Sequence, residues 1–193
     1  MRFVKSGVLL LTLTVLALLV VGQASATTVL QMNLEDLCDS SAQIFRGTIV
    51  DISETTISVG GGEVPAIVYT AEVTEGFKGE FTTVKGVQLA EFKVVGTLKQ
   101  HAAGQAPIAG FPLLQIGGDY LLMIAQAGPV GLTAPMGLGQ GSFSVDGKAG
   151  AETAVNGFNN EGLWKGMSVS GVPASGPVDY ATLANMIRAG VEE

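Results

Sequence analysis

Two stretches rich in β-branched and aromatic residues place the strongest limit on the fold of this chain. Residues 43–59 read QIFRGTIVDISETTISV, a composition typical of a strand. Residues 67–74 alternate apolar and more polar positions, which indicates a strand with one wet face; the apolar set is Ile67, Tyr69, Ala71 and Val73. With 27 glycines and only 14% charged residues, the chain favours a mainly β fold with many tight turns.

Gly47 lies inside the first of these stretches, on the same face as Phe45 and Ile49. A glycine in the interior of a strand commonly marks a bulge or a strong bend. Small barrels need such a bend where a strand curls over the core. We therefore predict a bent first strand and a small, closed or partly open, OB-like β-barrel.

The N-terminus has the features of a secretory signal peptide. Arg2 and Lys5 precede an apolar run over residues 8–21, and Ala24-Ser25-Ala26 matches the small-x-small cleavage pattern. An uncleaved anchor is the alternative, but a membrane span needs about 20 apolar residues. We predict cleavage after Ala26, export to the periplasm or the extracellular space, and no stable membrane insertion afterwards.

The predicted mature chain, residues 27–193, has a size that suits one domain, with residues 178–193 forming a C-terminal helix packed on the barrel. Loss of Arg2 and Lys5 leaves 8 basic against 17 acidic residues, a net charge of −9. Such a surface repels phosphate backbones, so we expect no nucleic-acid partner.

Cys38 is the only cysteine, so an intrachain disulfide is excluded and the domain has to be held together by core packing. Asn33 is a good helix N-cap, and Asp36 follows three residues later. Leu34, Leu37 and Cys38 then share one helical face. This spacing favours a buried packing role for Cys38; a reactive thiol is the alternative.

The remaining elements are predicted from turn residues and periodicity. The cluster GGGEVP indicates a turn, and TLKQHAAGQAPIAGFP indicates a loop over 97–112. We predict a strand over 84–92, a buried strand within IGGDYLLMIAQAG, a closing strand over 140–145, and a hairpin turn at Asp146-Gly147. A final helix begins after Asp179 and is expected to stop at Gly190.

Motifs with recognisable chemistry are scarce. His101 is the only histidine, which excludes a His-rich zinc site, and in its Gly/Ala loop an exposed surface histidine is the favoured interpretation. The chain has no G-x-S-x-G elbow for a serine nucleophile. The run GLGQG lacks the spacing of a phosphate loop, so a bulge or tight turn is expected there. Trp164 is either an anchor for a partner or a packing residue.

Three segments resemble the netrin-type domain, the OB-like barrel shared with tissue inhibitors of metalloproteinases. These segments are LCDSSAQIFRGTIVDI, VYTAEVTEGFKGE and GGDYLLMIAQAG, which together cover about half of the mature chain. The resemblance implies a barrel with a helix before its first strand. It also implies inhibition through an N-terminal cysteine that chelates the protease zinc, whereas this mature chain would begin Thr27-Thr28.

The leading functional expectation is an exported, non-catalytic module that binds an unknown protein or surface ligand without a cofactor. The alternative is an inhibitor of an extracellular metalloprotease, acting through its N-terminal segment and the loops at 60–64 and 101–112. A hydrolase is a remote third hypothesis, because no nucleophile-base pair is visible. The candidate partner-contacting residues are Thr27, Thr28, His101 and Trp164.

Overall fold

A computed structural model describes residues 30–192 and confirms a mainly β fold with a short helix before the first strand and a helix at the end. The predicted signal peptide, Thr27 and Thr28 lie outside the described residues. The elements are α1 (Leu34–Ser40), β1 (Gln43–Val59), β2 (Gly62–Lys78), β3 (Thr82–Val84), β4 (Val87–Val95), α2 (Leu98–Ala102), β5 (Asp119–Ile124), a 3₁₀ turn (Leu138–Gly141), β6 (Ser142–Lys148), β7 (Ala151–Asn156), β8 (Val178–Asp179) and α3 (Tyr180–Val191).

All eight strands form one antiparallel sheet in the order β3-β4-β2-β1-β5-β6-β7-β8. Strands β3 and β8 are its two edges and do not pair with each other within residues 30–192. Within residues 30–192 the sheet is therefore open, so of the two expected forms the partly open one agrees with the structure and the closed one is wrong. The strand predicted to close it, β6, instead lies between β5 and β7.

The longest pairing in the molecule joins β1 to β2 through a two-residue turn, Gly60-Gly61. Both glycines have positive φ, 60° and 82°, as the tight hairpin turns that match strand twist require. The predicted turn cluster was therefore too wide, because residues 62–65 already belong to β2.

Gly47 is the site of the expected bend in β1. The register with β2 shifts between Arg46 and Gly47, and again between Ile49 and Asp51. A Cβ atom on Gly47 would lie 2.5 Å from the Glu72 carbonyl oxygen. The neighbouring strand thus approaches so closely that only glycine fits, which confirms the interpretation of Gly47 as a bulge residue.

The bent sheet encloses two separate hydrophobic clusters. One lies under α1 and α3 and includes Leu37, Ile44 and Phe143. The other lies between the β1–β2–β4 part of the sheet and the 97–116 segment, and includes Phe45 and Tyr69. Ile44 and Phe45 are neighbours in β1, so alternate faces of one strand serve the two clusters.

Two predicted elements differ from the observed ones because short local signals, a turn and a helix cap, were missed. The strand expected over 84–92 is a hairpin, in which Lys85-Gly86, both at positive φ, joins β3 to β4. The loop expected over 97–112 contains α2, which begins at a capping box formed by Thr97 and Gln100.

Two predicted stop signals do not stop their elements. Asp146-Gly147 lies within β6, and the hairpin turns at Ala149-Gly150, so that Lys148 pairs with Ala151. Helix α3 continues through Gly190 to Val191. In both cases tertiary pairing or packing overrides a local preference.

We expect Gly47→Ala to lower the free energy of unfolding by about 1–3 kcal/mol, because the new methyl group collides with a backbone carbonyl that cannot move freely. The matched control is Gly190→Ala, whose Cβ would lie 3.7 Å from Cys38 Sγ at ordinary contact distance. That change should keep or slightly raise stability. Urea unfolding of both variants measures the difference; equal stabilities would contradict the bulge.

Candidate binding groove

A groove of about 490 Å³ lies between α1 and α3. We call it the α1–α3 groove. Its size lies in the range of pockets that hold small ligands. It is lined by Leu34, Glu35, Cys38, Asp39, Met167, Met186, Ala189 and Gly190.

Helix α1 forms one wall because its start is fixed by a capping box. The Asn33 side chain accepts from the Asp36 amide at 2.8 Å, and Asp36 accepts from the Asn33 amide at 3.2 Å. Leu34, Leu37 and Cys38 are buried, as the sequence spacing predicted. The prediction that Cys38 packs in the core is therefore confirmed, and the residue also forms part of the groove wall.

Helix α3 forms the other wall and is fastened to the sheet by polar side chains that we call the Arg46 cluster: Arg46, Glu75, Asp119, Glu152, Tyr180 and Arg188. Arg46 on β1 makes a forked contact with Asp119, at 2.6 Å from Nη2 and 3.0 Å from Nε to Oδ2. These hydrogen bonds raise the pKa of Arg46. The Arg46 guanidinium lies 4.4 Å from the centre of the Tyr180 ring at the start of α3.

Glu75 on β2 completes this attachment. It accepts a hydrogen bond from Tyr180 Oη at 2.6 Å and pairs with Arg188 two turns further along α3. Burial, together with the nearby Glu75 carboxylate, raises the pKa of Tyr180, so its hydroxyl stays a donor at neutral pH. The Arg46 cluster thus attaches α3 to the sheet near both of its ends.

The polar part of the groove is acidic. Glu35 and Asp39 are exposed on α1, which carries no basic residue in its last turn. Lys78 Nζ lies beside this end of α1 but donates to the main-chain carbonyls of Cys38 and Asp39, at 2.8 and 3.2 Å. The groove therefore combines an apolar, sulfur-rich floor with a rim of two carboxylates, whose charge the neighbouring Lys78 ammonium only partly offsets.

His101 and Trp164, the described members of the predicted contact set, lie in different parts of the molecule. His101 is half-buried, which corrects the expected exposed histidine: its Nε2 lies 2.8 Å from the Leu114 carbonyl oxygen, and its ring packs edge-on to Tyr69. Trp164 is half-buried against the hydrophobic cluster under α1 and α3, and its indole N–H donates to the Pro173 carbonyl at 2.9 Å. Both are held by packing contacts, and partner contact at either stays a prediction.

Gln140 is a site residue that sequence reasoning missed. Its buried side-chain amide donates to the Leu30 carbonyl and accepts from the Met32 amide, both at 2.8 Å, as a neighbouring strand would. Asn33 adds a bond from its side chain to the Lys165 carbonyl at 2.8 Å. Together these bonds hold the segment that follows the predicted cleavage site. No local pattern signals them, because the partners are far apart in sequence.

The GLGQG run contains Gln140 and forms a tight 3₁₀ turn, which agrees with the expected turn. A Cβ on Gly141 would lie 2.5 Å from the Met136 carbonyl oxygen, and one on Gly139 would lie 3.1 Å from that of Gly110. Its glycines therefore allow close backbone packing.

Within residues 30–192, no three His, Cys, Asp or Glu side chains come together as a metal-ligating group. No helix in this part of the chain has the length and apolar character needed to cross a membrane. Comparisons with protein-family models and with curated proteins find no match to this sequence.

Burial raises the pKa of the Cys38 thiol from 9.0 to about 11, with the Asp39 charge adding to the effect. Well below pH 9 the thiol is protonated in both the folded and the unfolded chain. Between pH 9 and 11 the unfolded thiol ionises first, so the free energy of unfolding should fall by roughly 2–3 kcal/mol over this window.

Thermal unfolding of the wild type and Cys38→Ala at pH 8 and pH 10.5 measures this contribution. The variant should show a smaller loss between the two pH values, since tyrosine ionisation affects both proteins equally. Native Cys38 should also react slowly with a thiol reagent at pH 8. Rapid labelling would show that the thiol is accessible. Identical pH slopes for the two proteins would show that folding does not raise the pKa of the thiol.

Proposed function

We propose that this chain is an exported, non-catalytic binding module that takes an apolar side chain of a protein partner into the α1–α3 groove. The groove itself carries this proposal. Methionine side chains such as Met167 and Met186 adapt to differently shaped apolar partners, and they are favoured on surfaces that bind peptides. The groove volume suits one or two side chains better than a whole folded surface.

The acidic residues of the groove favour a partner segment that carries positive charge. Glu35 and Asp39 line the groove, and the whole chain has a formal net charge of −7. An apolar residue flanked by Lys or Arg complements this arrangement, and the attraction would also speed association at low salt. A partner segment of this composition is therefore the ligand class that the site favours.

Ala189→Trp should fill the groove from α3, since Ala189 lines it and is exposed. We expect at least a roughly tenfold loss of affinity for a labelled peptide that carries adjacent leucines between lysines. Ala181→Trp, exposed on the same helix but outside the groove lining, is the matched control and should bind normally. Fluorescence anisotropy gives both affinities, and equal binding by the two variants would place the peptide elsewhere.

A second candidate function follows from the hydrogen bonds that hold the segment after the predicted cleavage site. If the domain is netrin-like, inhibition of an extracellular metalloprotease would depend on an ordered mature N-terminus with a free amine. The Gln140 and Asn33 hydrogen bonds supply a noncovalent attachment where that family uses a disulfide. The 60–61 turn lies at the end of the β1–β2 hairpin that is farthest from Gln43. Of the two loops, the 101–112 loop is therefore the one expected to contact the protease together with this segment.

For this second candidate, one added residue before Thr27 should abolish inhibition of a zinc protease, and Gln140→Ala should weaken it by loosening the segment. Inhibition constants for a panel of extracellular metalloproteases provide the measurement. Asn185→Ala, which removes an exposed amide on α3, serves as the control. Unchanged inhibition in the extended chain would rule out an N-terminal mechanism.

A further inference from the structure

The distal half of β1 has one edge that pairs with no strand among residues 30–192. On the side away from β2, β1 pairs with β5 only over residues 43–48, and the contact of Ile49 with Gly117 and Gly118 extends it by one residue. Within residues 30–192, residues 51–59 make strand pairs with β2 alone. Nine consecutive residues therefore present one row of main-chain donors and acceptors without a strand partner, the arrangement to which another strand adds.

Several other edges of this sheet are shorter or carry residues that discourage strand addition. Strand β3 has three residues and β8 has two. The outer side of β2 beyond β4 carries Pro65, a residue without an amide hydrogen that discourages strand addition. Residues 51–59, DISETTISV, contain no proline and no lysine, the residues that commonly protect an edge.

The side chains along this edge suit pairing with themselves. In a continuous antiparallel pair of identical strands, the two-fold axis passes through one residue, which then faces its own copy. Pairing all nine residues places Thr55 on that axis. Asp51 then faces Val59 and Glu54 faces Thr56, so no carboxylate lies directly opposite another, and the two central threonines form a favourable cross-strand pair.

Glu54 also has a hydrogen-bond partner within its own chain, which reduces the repulsion between its carboxylate and acidic residues of the second copy. Its carboxylate accepts a hydrogen bond from the Leu98 amide at 2.6 Å, at the start of α2. The Glu54 side chain is thus directed toward that helix. The Thr56 side chain is exposed.

We propose that residues 51–59 of β1 pair with the same residues of a second copy of this chain, with Thr55 on the two-fold axis. This surface is separate from the α1–α3 groove, so the inference goes beyond the proposed function. An isologous pair uses each of the two β1 edges once, so this contact closes at the dimer.

Charge substitution at the axis tests this arrangement. Thr55→Lys and Thr55→Glu each place like charges opposite one another and should weaken dimerisation roughly tenfold. An equimolar mixture of the two variants should recover association, because lysine then faces glutamate. Sedimentation equilibrium of the chain beginning at Thr27 measures all three cases, and Thr83→Lys on the β3 edge is the matched control that should dimerise normally.

A second measurement keeps the proposal falsifiable if a charged residue at position 55 disturbs folding. Thr55→Cys should form a disulfide-linked dimer on mild oxidation, whereas the wild type should not, because its single cysteine is buried. A wild-type chain that stays monomeric at millimolar concentration would overturn the proposal. So would a dimer unaffected by both charge variants, or a β1 edge filled by a strand from another protein while this chain remains monomeric.

Discussion

The close approach of β1 and β2 at Gly47 is the constraint on which the rest of the structure depends. The missing side chain lets the Glu72 carbonyl enter the space where a Cβ would lie. The register then slips, the strand bends, and the two halves of β1 take different neighbours. The first half supports α1, α3 and their hydrophobic cluster, and the second half extends away beside β2. One glycine thus divides a single long strand between two structural roles.

The Arg46 cluster converts this bend into a defined helix position. Arg46 immediately precedes the bulge, and its side chain reaches both Asp119 and the Tyr180 ring. Fully exposed ion pairs contribute little, but these side chains are partly buried, and Arg46 is only 17% exposed. The groove is consequently bounded by a helix that several strands hold at once. Its walls are preorganised, which lowers the conformational entropy that the protein must lose when it binds a ligand.

The elements that the sequence predicted well are those with a strong local signal. The β1 bounds, the Asn33 cap, the buried face of α1 and the bend at Gly47 all follow from patterns within a few residues. The failures share another cause: the Lys85-Gly86 turn was hidden in a strand-like run, and Asp146-Gly147 was overridden by pairing with β7. The groove and the role of Gln140 depend on residues more than one hundred positions apart, so no window of sequence could reveal them.

The attachment of residues 30–33 also affects the order of folding. Met32 and Gln140 are 108 positions apart, and Asn33 and Lys165 are 132 apart. Contacts of such separation form slowly, since a long loop must close before they add any stability. During synthesis this segment emerges before every residue that holds it. The beginning of the fold is therefore completed only after its end has been made.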